Sequence, residues 1–226
     1  GGGGGEEEGG ERRAERSGGE AGPRELATRA AGAGCAAGRA PSVCETMPAL
    51  LRSGLLAGVE LAFAHPEPAG AHAAAAAARA AELGAGVHTV AVDPAGEEPS
   101  LHGLAHADVL LWDGDGAFAA FAGVGAVRAA LDGAWLAIRP VATRAMEGGG
   151  PIVLVAPAPG DPHREAARAG LENLARTLSI EWARLGLRPV AILPGSGTAP
   201  EEIAELIAFL ASPAGAYYSG CAFTLR

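Results

Sequence analysis

The sequence predicts an α/β domain: a doubly wound parallel sheet of about six strands with helices on both faces. Three observations lead there. From Leu50 onward, strand-like and helix-like segments alternate regularly. The strand-like segments are near-continuous apolar runs, as expected of parallel strands buried on both faces. The 49% apolar fraction leans on alanine and aromatics are only 4%, which suits helices packed closely on a sheet better than an all-β sandwich.

The elements follow in order. "VELAFAH" (59–65) reads as the first strand, and "AGAHAAAAAARAAELGAG" (69–86) as an alanine-rich helix closed by Gly84. "VHTVAVD" (87–93) is β-branched and ends on Asp93; "ADVLLWDG" (107–114) is a third strand. Residues 123–150 read as a long helix with Leu131, Trp135 and Ile138 on one face, stopped by Gly148 to Gly150. "PIVLVAP" (151–157) is a buried strand. The next helix opens with Asp161 as N-cap and Pro162 in the first turn. "LRPVAILPG" (187–195) is a strand. A helix over 198–212 is opened by a Thr198–Glu201 capping box, and "GCAFTLR" (220–226) is the last strand.

Residues 1–46 differ from the rest. They are mostly Gly, Glu and Arg with almost nothing to bury, so they are expected to be a disordered tail ahead of one domain over 47–226. Met47 is the first methionine and is read as an alternative start of the natural chain. The formal net charge of −9 and the lack of a large basic face argue against nucleic-acid binding. No apolar run approaches membrane-spanning length, and no charged-then-apolar leader opens the chain, so a cytoplasmic protein is expected. Cys35, Cys44 and Cys221 lack metal-ligand spacing and read as free thiols.

The C-terminal half carries a family resemblance. "RAGLENLARTLSIEWARLGLRPVAILPG", then "TAPEEIAELIAFLAS" and "YYSGCAFTLR", closely resemble the short-chain dehydrogenase/reductases; "LLAGVELAFA" and "HTVAVD" look like that family's first two strands. The resemblance covers roughly residues 54 to 226 and is strongest at the C-terminal end. It implies a Rossmann-like sheet, a nicotinamide cofactor, and a Tyr-x-x-x-Lys pair with a Ser and an Asn. At the matching positions stand Arg164 for the tyrosine and Arg168 for the lysine. The serine falls near Ala156 or Pro157 and the asparagine at about Ala130. The chain contains no lysine at all, and an arginine cannot donate a proton near neutral pH. The family's proton relay is therefore expected not to operate.

The cofactor turn departs from the family as well. In place of its glycine-rich loop the chain has "AHPEPAGAHA", in which His65 replaces the first glycine and only Gly70 survives. Glu67 adds negative charge where a pyrophosphate would lie. The later Asn-Asn-Ala-Gly turn has become "WDGDG", adding Asp113 and Asp115. Asp93 stands where the family's acid receives the adenosine ribose and prefers NAD; as a plain strand-end turn residue it needs no cofactor. Gly70 and Asp93 are thus the two weak cofactor-binding candidates. No cofactor is expected, and NAD if any.

Two segments are short against the family. Only about a dozen residues follow Asp93 before the next strand, where the family fits a helix and an edge strand; the substrate lid after Gly195 is also missing. The helices over 123–147 and 161–186, which in the family form oligomers, keep their pattern. The expected function is therefore a non-catalytic homo-oligomer partner, or a hetero-oligomer partner of an active relative. The alternatives are an oxidoreductase with atypical site residues and a small-molecule sensor. Other clusters read more plainly: His163, Arg164, Glu165 and Arg168 as a charged first turn, His102 and His106 as loop residues, and "GVGAVR" (123–128) as a helix start.

Overall fold

A computed structural model describes residues 51–226; the tail expected over 1–46, with Cys35 and Cys44, lies outside the described residues. Six strands form one all-parallel sheet: β1 (Glu60–His65), β2 (Gly86–Ala91), β3 (Val109–Asp113), β4 (Gly150–Val155), β5 (Leu187–Leu193) and β6 (Ala222–Thr224). Their order is β2-β1-β3-β4-β5-β6. Five helices connect them: α1 (Ala71–Glu82), α2 (Gly114–Ala119), α3 (Gly123–Arg144), α4 (Pro162–Glu181) and α5 (Pro200–Ala211). The chain runs outward from β1 to β2 at one edge, then returns to β3 on the other side of β1. This reversal puts the strand-end crevice between β1 and β3, the usual ligand position in such sheets.

Central strands β3 and β4 are buried at every residue, as their uninterrupted apolar runs require. The register sets Ala62 beside His88 on one side and beside Leu110 on the other. One core lies between the sheet and α3 and α4, centred on Trp112, Ile138, Leu154 and Leu171. The other lies under α1 and α5, with Leu61, Leu111, Val153, Ile203 and Ile207. Alanine makes close packing possible: α1 buries only Ala73, Ala76, Ala77 and Ala80 against the sheet. The connection over 92–108 contains no helix or strand, so the edge strand that the family fits there is absent and β2 is itself the edge. Glu98 fastens this connection to α3 through Arg139 (2.5 Å) and Arg144 (2.6 Å).

Three local expectations need correction. The buried face of α3 is Gly133, Ala134, Ala137, Ile138 and Val141, whereas Trp135 is exposed and Leu131 half-buried. Small residues win that face because Trp112 presses directly on the helix: a Cβ on Gly133 would sit 2.8 Å from the indole. The helix also stops at Arg144, ahead of the glycines. Finally, α5 is capped one residue later than expected. Glu202 accepts from the Ala199 amide at 3.1 Å, while the Thr198 hydroxyl accepts from the Gly195 amide and closes the preceding turn.

Candidate functional site

The C-terminal ends of the strands gather most of the residues singled out in the sequence, in two groups. The first surrounds the start of α1. Gly70 is the N-cap and has no side chain with which to cap the helix. The capping group comes instead from β3: Asp113, fully buried, accepts from the Gly70 amide (2.5 Å) and from the Gly116 amide (2.9 Å). The same carboxylate thereby caps α2, a short helix that the sequence pattern does not announce. A Cβ on Gly70 would meet Asp113 Oδ1 at 2.9 Å and the Gly116 amide nitrogen at 3.0 Å. Burial pushes the Asp113 carboxyl above its usual range, the two amides pull it back, and Asp115 adds to the rise.

Beside it, His72 on α1 meets Asp115 at 3.1 Å. Its pKa is raised, first by that hydrogen bond, against the cost of its partial burial. His65, at the end of β1, is buried; its Nδ1 lies 2.5 Å from the Pro66 carbonyl and its ring stacks on Phe63. The start of α1 thus has a buried carboxylate on its first amide, a second carboxylate 3.1 Å from a helix histidine, and, among the described residues, no arginine bonded to either. Asp93 lies apart from this group. It is exposed and closes its own turn, its Oδ1 accepting from the Ala95 amide at 3.0 Å.

The second group surrounds the start of α4. Asp161 caps the helix, accepting from the His163 and Arg164 amides at 2.8 and 3.1 Å. These amides hold its carboxyl below the usual range, the Arg164 amide first. Arg168 is buried and donates from one terminal nitrogen to the Pro157 carbonyl (2.7 Å) and the Pro194 carbonyl (2.8 Å). It ties the loop after β4 to the loop after β5. Arg164 lies over the Phe118 ring, 5.1 Å from its centroid, and reaches the Ala158 carbonyl at 3.4 Å. Ala130 is buried in α3, and its carbonyl accepts from the Trp112 indole N–H at 3.2 Å. Pro157 offers only its carbonyl, already taken by Arg168. None of the positions 130, 157, 164 and 168 presents a hydroxyl or amide side chain to the crevice.

Comparison with known proteins agrees with this architecture. A citronellol catabolism dehydrogenase (AtuB) from Pseudomonas aeruginosa PAO1 superposes with a TM-score of 0.65 at 25% identity, covering 78% of this chain and 97% of that one. The chain has the short-chain dehydrogenase/reductase fold. A short-chain dehydrogenase from Mycobacterium smegmatis gives a TM-score of 0.63 at 22% identity, covering 76% and 93%. The angucycline C-6 ketoreductase LanV, solved with bound NADP, gives 0.58 at 17%, covering 76% and 96%. Among curated proteins, a probable 2,4-dienoyl-CoA reductase from Bacillus subtilis (strain 168) is 35% identical over a stretch covering 29% of this chain and 37% of that protein. The matched stretch therefore spans little more than a third of that relative's length. No family model matches the chain. No helix among the described residues is long and apolar enough to cross a membrane.

What sequence reasoning missed is the depth of Asp113. In the sequence it reads only as added negative charge. Its partners lie 43 residues earlier and three residues later, and the signal available was a lone acid closing an otherwise apolar strand, with glycines at both amides.

Proposed function

We propose that this chain is a short-chain dehydrogenase/reductase fold without the family's hydride-transfer chemistry, acting as an oligomer partner through α3 and α4. The observation that carries the reading is the buried Asp113 carboxylate bonded to the Gly70 amide. In the family that helix start receives the cofactor pyrophosphate; here an anion of the protein's own already holds the amide, and a second phosphate-like charge would face Asp113 and Asp115 at short range. Arg168 supports the same reading from the other side of the crevice: its guanidinium is committed to two backbone carbonyls rather than to a ribose or a tyrosine. The oligomer role rests on apolar side chains left in solvent along these helices. Ile180 is 81% exposed, Val124 67%, and Trp135 pairs with Trp182 at 6.0 Å.

The test is a titration of the purified chain with NADH and NADPH by calorimetry, with an intact family member as control. No saturable heat up to millimolar cofactor is expected. Micromolar binding sinks the reading and returns the chain to the oxidoreductases with atypical site residues, with Arg164, Arg168 and Asp93 as the first positions to mutate. For the oligomer role, Ile180→Glu is expected to lower the mass seen by light scattering.

A further inference from the structure

His72 stands at the second position of α1, where a helix favours an acid over a cation because its free amides make that end positive. This first turn has no acid of its own. The groups that set the charge of the ring come from other elements. Its Nδ1 meets Asp115 of α2 at 3.1 Å, and both side chains are largely shielded from solvent. Asp113 of β3 adds its charge, and the Thr198 carbonyl faces the ring from the segment between β5 and α5. The remaining titratable groups on the neighbouring elements are engaged elsewhere or exposed. His65 bonds the Pro66 carbonyl, Glu60 of β1 bonds His88 of β2, and Glu205 of α5 bonds Arg79. Glu67, Glu201 and Glu202 are exposed. Residues 194–200 hold no charged side chain, and Arg226 lies against Gly195.

Two acceptors on one imidazole make its proton count matter. A histidinium has two N–H donors and serves both; a neutral ring has one donor. The Asp115 carboxylate is the stronger acceptor and keeps the Nδ1 proton. The neutral ring then turns the Nε2 lone pair on the Thr198 carbonyl, and two acceptors repel. The segment on that side is held firmly only at its ends. Arg168 takes the Pro194 carbonyl at 2.8 Å, and Glu202 takes the Ala199 amide at 3.1 Å. Between them the bonds are internal. The Gly195 amide donates to the Thr198 hydroxyl at 2.8 Å, and the Thr198 amide to the Gly195 carbonyl at 3.4 Å. A Cβ on Gly197 would meet nothing within 4 Å, while Thr198 is buried.

We propose that His72 is a proton-operated clasp at the strand-end crevice: with two ring protons it holds residues 195–198 to the starts of α1 and α2, and with one it releases them while keeping Asp115. This goes beyond the reading above, since it concerns neither hydride transfer nor the surface of α3 and α4. The sign follows from the neighbours. The Asp115 hydrogen bond first, and then the Thr198 carbonyl, raise the ring above its ordinary 6.5 against the cost of burial. Its hold on the segment is therefore present in full below 6.5. It is lost as the pH rises through the higher native value, so opening follows rising pH.

The test follows the full chain by NMR from about pH 5.5 to 8.5. It reads the His72 ring shifts and the protection of the Gly195 and Thr198 amides, corrected for the intrinsic rise of exchange with pH. The ring is expected to titrate above 6.5. Protection of the two amides should fall at least about threefold with the same midpoint, while the amides of α2 keep theirs. His72→Gln keeps a donor that does not titrate and should leave the protection flat across the range. Asp115→Asn should move the ring and the segment to a lower midpoint together. If one variant does not fold, the other decides. A ring that titrates at or below 6.5 overturns the proposal. So does protection that ignores the ring's titration, loosening of α2 in place of the segment, or a pH dependence that survives in His72→Gln.

Discussion

Two helix starts face the same crevice, those of α1 and α4, and both are held by aspartate. They are held in opposite ways. At α4 the cap is local and wet: Asp161, adjacent in sequence, bonds the next amides and is exposed. At α1 the cap is remote and dry: Asp113 comes from a different strand and has no solvent exposure. The buried residue near α4 has the complementary sign, since Arg168 gives its donors to two carbonyls. One side of the crevice has an internal anion on amides, the other an internal cation on carbonyls. Both helix starts thus keep their backbone groups paired within the chain, by a carboxylate on one side and a guanidinium on the other.

The largest way to break this contrast is Asp113→Ala. It leaves the Gly70 and Gly116 amides without their acceptor beside a fully buried site, and also removes a buried charge. The net loss is expected at about 2–3 kcal/mol. At about 2–4 °C per kcal/mol for a domain of this size, the melting temperature falls by about 4–12 °C. A loss below about 0.5 kcal/mol by urea unfolding would mean that water caps α1 equally well.

Arg168→Ala comes next, at about 2 kcal/mol, because it frees two carbonyls that the guanidinium alone bridges. Arg168→Lys should lose less, since an ammonium still donates to one of them. If lysine and alanine lose the same amount, the fork geometry rather than the charge is what matters. Gly70→Ala follows at about 1–2 kcal/mol, from its contacts with Asp113 Oδ1 (2.9 Å) and the Gly116 amide nitrogen (3.0 Å). These values are read from unfolding midpoints at constant m-value.

These effects also mark what was legible in the sequence. The six strands were, because apolar runs such as "VLLW" and "PIVLV" have no other place to go. The shortened connection after Asp93 was, because a dozen residues cannot hold a helix and a strand. Asp161 was legible because a cap and its amides are neighbours in the chain. The face of α3 was not, because Gly133 and the alanines pack there while the large residues stay outside, and a hydrophobicity count weights size. α2 was not, since "GDGAFA" has poor helix propensity and depends on the Asp113 cap. The partners of Asp113 and Arg168 were not, because bonds spanning 43, 11 and 26 residues leave no periodic trace.

The smallest expected effect separates the two caps most cleanly, because its signs are opposite. Asp161 has its native pKa lowered from 3.8 by the amides it caps. Its contribution is present above 3.8 and is lost as the pH falls through the lower native value. Asp113 has its native pKa raised from 3.8 by burial. Its contribution is present below 3.8 and is lost as the pH rises through the higher native value. Asparagine replaces each charge while keeping a side-chain oxygen. Unfolding free energies of the wild type minus Asp161→Asn should therefore climb with pH across the acid range, and those of the wild type minus Asp113→Asn should fall. Measurements kept below about pH 5.5 leave His72 protonated throughout, so it drops out of both differences. Slopes of the same sign would mean that the Asp113 carboxylate gains more from its two amides than it loses by burial, and the distinction between a wet cap and a dry one would then be one of position alone.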